Sequence, residues 1–115
     1  MTQSNDLRKQ DYIAYFVNND FRKEAIMLFS FCKKVDWAEN GLGIVSWDYK
    51  KKKKCSACSL SEAYSKMNKL QRLYSSTSRT AGIGDIICVE DTPWIITGNG
   101  FERVPLLLWK RIEKK

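Results

Sequence analysis

Cys55-Ser56-Ala57-Cys58 stands directly behind five consecutive lysines, Lys50–Lys54, and directly ahead of a helix pattern. Two thiols at that spacing are half of a zinc site or the dithiol of a redox centre, and a lysine run attracts phosphates. The rest of the chain limits each chemistry. Zinc takes four ligands, yet the sequence has no histidine, and its other two cysteines, Cys32 and Cys88, lie in apolar runs. Free cysteine in such a run behaves as a small hydrophobe. A lysine run and a helix N-terminus both lower a thiol pKa, which supports redox chemistry. However, the aromatic and Gly-Pro surroundings of a thioredoxin-type site are missing. The pair is read as two incidental loop cysteines, with no metal and no cofactor expected.

Catalysis is constrained in the same way. Zero histidines remove the commonest general base and every Ser-His or Cys-His device. Asp85, Glu90, Asp91 and Glu102 sit at turns and strand ends, where carboxylates are ordinary solubility and turn residues. Gly82-x-Gly84 is too short to cradle phosphate, and there is no Walker loop or dinucleotide fingerprint. No enzyme is expected.

The charge supplies a positive lead. Residues 1–49 carry six basic and seven acidic groups, residues 81–115 five of each, and residues 50–80 nine basic and one acidic. The whole excess of the chain, +7, therefore comes from the middle segment. Such segregation points to an anionic partner for one face. Lys50, Lys51, Lys52, Lys53 and Lys54, with Lys66, Lys69, Arg72 and Arg79, are the candidate nucleic-acid contacts. Lysines act as point charges suited to backbone attraction, and Trp47, Tyr49, Tyr64 and Tyr74 are nearby rings on which bases could stack. The plainer reading is a solvated loop whose lysines improve solubility.

The elements that must position these groups follow from pattern. At 115 residues the chain is one domain, 1–115, with 43% hydrophobic residues and room for a core. Met1–Gln10 reads as a loose arm. Tyr12–Val17 is aromatic and β-branched, a strand. Phe21–Cys32 fits a capped helix or a buried strand, and a run so short carries no period that separates them. Asn40-Gly41-Leu42-Gly43 reads as a turn. Ile44–Tyr49 alternates, with Val45, Trp47 and Tyr49 on one side, and reads as a half-buried strand. Residues 50–58 read as a basic loop. Ser59-Leu60-Ser61-Glu62 is a capping box that opens a helix to Tyr74. Its stripe of Tyr64, Met67, Leu70 and Leu73 is expected to meet Val45, Trp47 and a hairpin. That hairpin is Ile86–Val89 and Trp94–Thr97 around an Asp91-Thr92-Pro93 turn. Leu106–Ile112 fits a strand or a short helix. No segment approaches a membrane span and no signal peptide opens the chain, so a reducing, cytoplasmic setting is expected.

Leu60–Asn68, a Ser/Thr/Arg-rich link, Ala81-Gly82-Ile83-Gly84-Asp85-Ile86-Ile87, Trp94 and Gly100-Phe101 together form a pattern. It resembles the small YodL-like domains encoded by phages, plasmids and integrated elements. In those domains a helix ending in aromatic-x-x-x-Asn leads to an S-V-G-D-V strand, an aromatic strand and a closing Gly-Phe. Gly84-Asp85-Ile86 matches the G-D-V part, Ile83 stands at its Val, and Gly82 replaces the Ser. The resemblance covers about residues 60–104. It implies a small α+β module with a sheet packed on one helix and tilts Ala25–Cys32 toward a strand, and it brings no catalytic residues.

The expectation is an α+β fold with a small, mostly antiparallel sheet packed against one main amphipathic helix. The expected protein is a basic, non-enzymatic binding protein of phage or mobile-element type, contacting nucleic-acid backbone (DNA or RNA) through the Lys50–Lys54 loop and the exposed helix face of Lys66, Lys69 and Arg72. The alternative is an effector that binds and inhibits an acidic host protein, such as a defence or transcription component.

Overall fold

The computed structural model describes residues 9–74 and 81–114, apart from the side chains of residue 42 and of residues 68–74. The fold is α+β, as the pattern implied. Among the described residues five strands form one antiparallel sheet: β1 (Gln10–Phe16), β2 (Lys50–Ala57), β3 (Ile86–Val89), β4 (Thr92–Thr97) and β5 (Gly100–Arg103). The spatial order is β2-β1-β3-β4-β5. Four helices, again among the described residues, cover it: α1 (Asn19–Phe29), α2 (Trp37–Val45), α3 (Leu60–Tyr74) and α4 (Leu106–Glu113). Gln10 opens β1, so the expected arm does not include it; residues 1–8 lie outside the description. Among the described residues no helix is long and apolar enough to cross a membrane.

The period of β1 sorts the core into two layers. Tyr12, Ala14 and Phe16 point to one face, where Ala57, Ile87 and Ile96 meet Ala63 and Met67 of α3. Val17 belongs to the other layer, with Ile86, Cys88 and Ile95 against Ala25, Phe29, Ile44, Trp47, Trp109 and Ile112. Met67 therefore meets the hairpin as expected, but Val45 and Trp47 lie across the sheet from α3. Leu70 and Leu73 fall among the undescribed side chains.

Neither of two expected strands forms: Ala25–Phe29 ends α1, and Ile44–Tyr49 is the last two residues of α2 and the turn after it. The apolar run 25–32 looks continuous, but only Ala25 and Phe29 are buried within α1, four residues apart on one helical face. Ile26 and Met27 are 38% and 71% exposed. The helix is set upstream, where the Asn18 side chain accepts from Asp20 N at 2.9 Å. The stretch 37–45 is helical because Asp36 caps it, accepting from Glu39 N at 3.1 Å. Gly41, expected in a turn, is inside α2; a Cβ there would stand 2.7 Å from Leu108 Cδ1 of α4. The alternating burial of Val45, Trp47 and Tyr49 is real, but it comes from a helix end followed by Asp48 at φ 57°.

The helix over 60–74 has the expected bounds, and Glu62 N donates to Ser59 Oγ at 3.1 Å. The return bond of the box is shifted by one residue: Glu62 Oε1 accepts from Cys58 N at 2.6 Å. The hairpin turns at Glu90 and Asp91, with φ 49° and 61°, so Thr92 and Pro93 belong to β4. Positive φ at both central residues matches the twist of paired strands.

Asp85 is the main correction among the acidic residues. It is fully buried, with Oδ1 accepting from Val17 N and Oδ2 from Gly82 N, each at 2.9 Å. Beside it Gly84 has φ 94°, and a Cβ there would lie 2.5 Å from Ala25 Cβ. Gly84→Ala is expected to cost roughly 2–5 kcal/mol, combining left-handed strain with overpacking. Asp85→Ala, which strips the acceptor from two backbone donors, is expected to cost about 2–4 kcal/mol. Urea unfolding followed by circular dichroism measures both; a loss below about 1 kcal/mol in either case refutes the role assigned to that residue.

Candidate nucleic-acid interface

Lys50–Lys54 is not a loop. It forms most of β2, an outer strand of the sheet with β1 as its neighbour. Lysine is a poor strand former, but an outer strand needs only one partner, and charged edges resist pairing with other chains. Phe16 pairs with Lys50, Tyr15 with Lys51, Ala14 with Lys53 and Ile13 with Lys54. Lys52 is left as the extra residue of a bulge between Lys51 and Lys53. Bulges also protect sheet edges, because they twist the strand away from a would-be partner.

The bulge and the pleat spread the lysines over both sides of the rim. Lys50, Lys51, Lys52 and Lys54 are exposed, whereas Lys53 is half-buried, and desolvation holds its ammonium below the usual lysine range. Lys54 pairs with Asp11 at 3.5 Å, with both side chains 65% exposed. Such a pair is worth about 0–1 kcal/mol and yields readily to a competing anion. Among the described residues, Lys50 through Lys53 form no ion pair.

Lys66 is spoken for. Its Nζ donates to Ser56 O at 2.8 Å and lies 3.8 Å from Glu62 Oε2, bracing α3 against β2. The Cys58 backbone bond first, and Lys66 second among the favourable causes, hold the Glu62 carboxyl below its ordinary value. Lys69 and Arg72 lie on α3 with undescribed side chains, and Arg79 lies outside the described residues. The structure thus lines the five lysines of β2 along one rim of the sheet, on both of its sides, and gives Lys66 a structural task.

The rings expected near the lysines are turned away. Trp47 and Tyr49 are 7% and 6% exposed in the core. Tyr49 Oη donates to Gly84 O at 2.6 Å, and Trp47 stands edge-on to Phe29. Tyr64 is half-buried and edge-on to Phe101, with centroids 6.1 Å apart. Tyr74 has an undescribed side chain.

The thiols are also placed differently from the expectation of a lowered pKa. Cys55 lies opposite Tyr12 in the sheet and packs toward α3, its Sγ 3.8 Å from Ala63 O. Burial raises its pKa and outweighs the opposing pull of Lys66. Burial likewise raises Cys32, and it lifts Cys88 to about 11. Among the described residues no three or more His, Cys, Asp or Glu side chains cluster as a metal site. Glu102, read as a turn residue, is a clamp: it accepts from Val35 N at 2.9 Å and from Trp37 Nε1 at 3.0 Å.

A charge run carries no period, so nothing inside Lys50–Lys54 marked it as a strand. The usable signal was indirect, since outer strands are where a sheet tolerates lysine. Comparison with protein-family models, with curated proteins and with solved structures finds no match.

The raised thiol values give a sign for pH. Cys88 titrates from an ordinary 9.0 to about 11 on folding, so the folded state holds its proton longer than the unfolded state. The resulting stability is present below pH 9.0 and is lost as pH rises through about 11. Tyr12 and Tyr15, also raised by burial, act with the same sign in the alkaline range. Iodoacetamide at pH 8 is expected to leave Cys88 unlabelled in the native protein and to label it in urea. Native labelling of Cys88 as fast as in urea overturns the buried-thiol assignment.

Proposed function

We propose that this protein binds nucleic acid through its phosphates, with the rim strand β2 as the contact surface. The reading keeps the sequence-based picture of a basic, non-enzymatic protein of the kind mobile elements encode, and moves its contact from a loop to a strand. One observation carries it: Lys50–Lys54 line an outer strand and, among the described residues, only Lys54 of the five is paired with an acid. Protecting an edge explains some lysine, but a single charge suffices to interrupt an association-prone strand. Five in a row leave a surplus of charge that edge protection does not require. Phosphates answer that surplus, because each neutralised phosphate releases condensed counterions.

A rigid strand also lowers the cost of binding. The lysine backbones are already fixed by pairing with β1, so only side-chain freedom is lost on contact. Lysine heads on flexible stems neutralise phosphates without reading bases, so affinity varies little with sequence.

A second reading rests on a different surface. Met27 and Phe31 are 71% and 94% exposed, and Lys33 and Lys34 beside them are exposed too. An apolar tip flanked by lysines suits contact with an acidic protein, in keeping with an inhibitory effector. Copurification of one stoichiometric protein after nuclease treatment, abolished by Phe31→Ser, supports it.

For the leading reading, four engaged lysines predict a slope of log K against log salt of roughly −4 on duplex DNA. Replacing Lys50, Lys51, Lys52 and Lys53 with Gln is expected to flatten that slope and weaken binding equally for unrelated sequences. Fluorescence anisotropy across a salt series reads both quantities, with circular dichroism confirming the fold. An unchanged affinity in the folded variant sinks the assignment.

A further inference from the structure

We infer that the nucleic acid held at β2 is a duplex, gripped by its phosphates without base stacking; this rests on the reading of β2 as a nucleic-acid interface. Proteins that hold single strands on a sheet use an open face, where aromatic side chains stack the bases. Here neither face is open. Ala63 and Met67 of α3 pack on one side of the sheet. Ala25, Phe29, Ile44, Trp109 and Ile112 of the other helices pack on the opposite side. What remains of the sheet for a partner is its rim.

The rim offers charge without rings. Trp47 and Tyr49, the aromatics nearest Lys50 in sequence, are buried, and Tyr12 on the adjoining strand is 4% exposed. Tyr64 is held against Phe101. Trp94 belongs to β4, three strands away in the sheet order. Phe31, almost fully exposed, follows α1, whose end is tied to the β4–β5 turn by Gly98 N donating to Phe29 O at 2.9 Å. That turn is at the opposite side of the sheet from β2. Tyr15, opposite Lys51, is half-buried and held edge-on to Trp109, so among the described residues no fully exposed ring stands beside the lysines.

Without stacking, affinity follows phosphate density. A duplex carries a charge every ~1.7 Å of axis, against ~3.4 Å along one of its strands. Side chains on one side of a strand recur about every 6.6 Å, and successive ones alternate sides. A strand with lysines on both sides therefore presents two rows of charge, which suits two phosphate backbones better than one. DNA and RNA duplexes share this chemistry.

The test measures the full chain by fluorescence anisotropy against a DNA duplex, an RNA duplex and each component strand, all of equal length and mixed sequence. The expected result is that at least one duplex binds about tenfold more tightly than its component strands at low salt. Tyr64→Leu should leave duplex affinity unchanged, since that ring takes no part. The DNA and RNA arms identify which duplex is the source of the phosphates, and a preference for either supports the inference. Single strands bound as tightly as both duplexes, or weakened by Tyr64→Leu, overturn the inference while leaving β2 as the interface. Binding to no form more tightly than the Lys→Gln variant overturns the inference and the β2 interface together.

Discussion

Asp85 holds the two sides of the molecule in register. Its two carboxylate oxygens take the N–H of Val17, just past the end of β1, and that of Gly82, at the entry to β3. A carboxyl group has two oxygens, so one buried side chain can accept from two donors that strand pairing leaves over. Its own backbone joins the same junction. Asp85 O accepts from Ile96 N, and Gly84 N donates to Ile96 O, each at 2.9 Å. Gly84 O takes the Tyr49 hydroxyl, and the missing Cβ of Gly84 lets α1 approach at Ala25. β1, α1, the 46–49 turn and the hairpin all converge on two consecutive residues.

That convergence allows the rim to be so highly charged. β2 is anchored on one side by β1 and braced beneath by α3, through Cys55, Ala57 and the Lys66–Ser56 bond. None of its lysines has to stabilise the fold. They are free to repel strand addition by other chains, and the proposed contact with phosphate is compatible with that task. Among the described residues helices pack on both faces of the sheet, and the β2 lysines and the exposed Phe31 sit at opposite sides of it.

The cysteines illustrate how a local rule is overruled by pairing. Cys55 and Cys58 follow lysines and precede a helix, conditions that lower a thiol pKa when the thiol faces them. In a strand, side chains alternate, and the register with β1 sends Cys55 inward beneath α3. Desolvation then decides the direction of the shift.

The sequence by itself determined the elements whose signals are local. The helix 60–74 was readable from a cap three residues ahead of its Glu and a stripe at helical spacing. The hairpin was readable from two apolar runs around a short turn, and β1 from its aromatic, β-branched run. Tertiary structure decided the rest. Ala25–Phe29 is helical because only one side of an apolar run meets the core, and composition cannot say which residues of a uniformly apolar run face inward. The 37–45 segment is helical although it carries two glycines, because Gly41 gains close contact with α4 that its weak propensity does not foretell. Lys50–Lys54 became a strand because β1 needed a partner on its outer side. That pairing is made between residues some 40 positions apart in the chain, and no pattern within five identical residues encodes it.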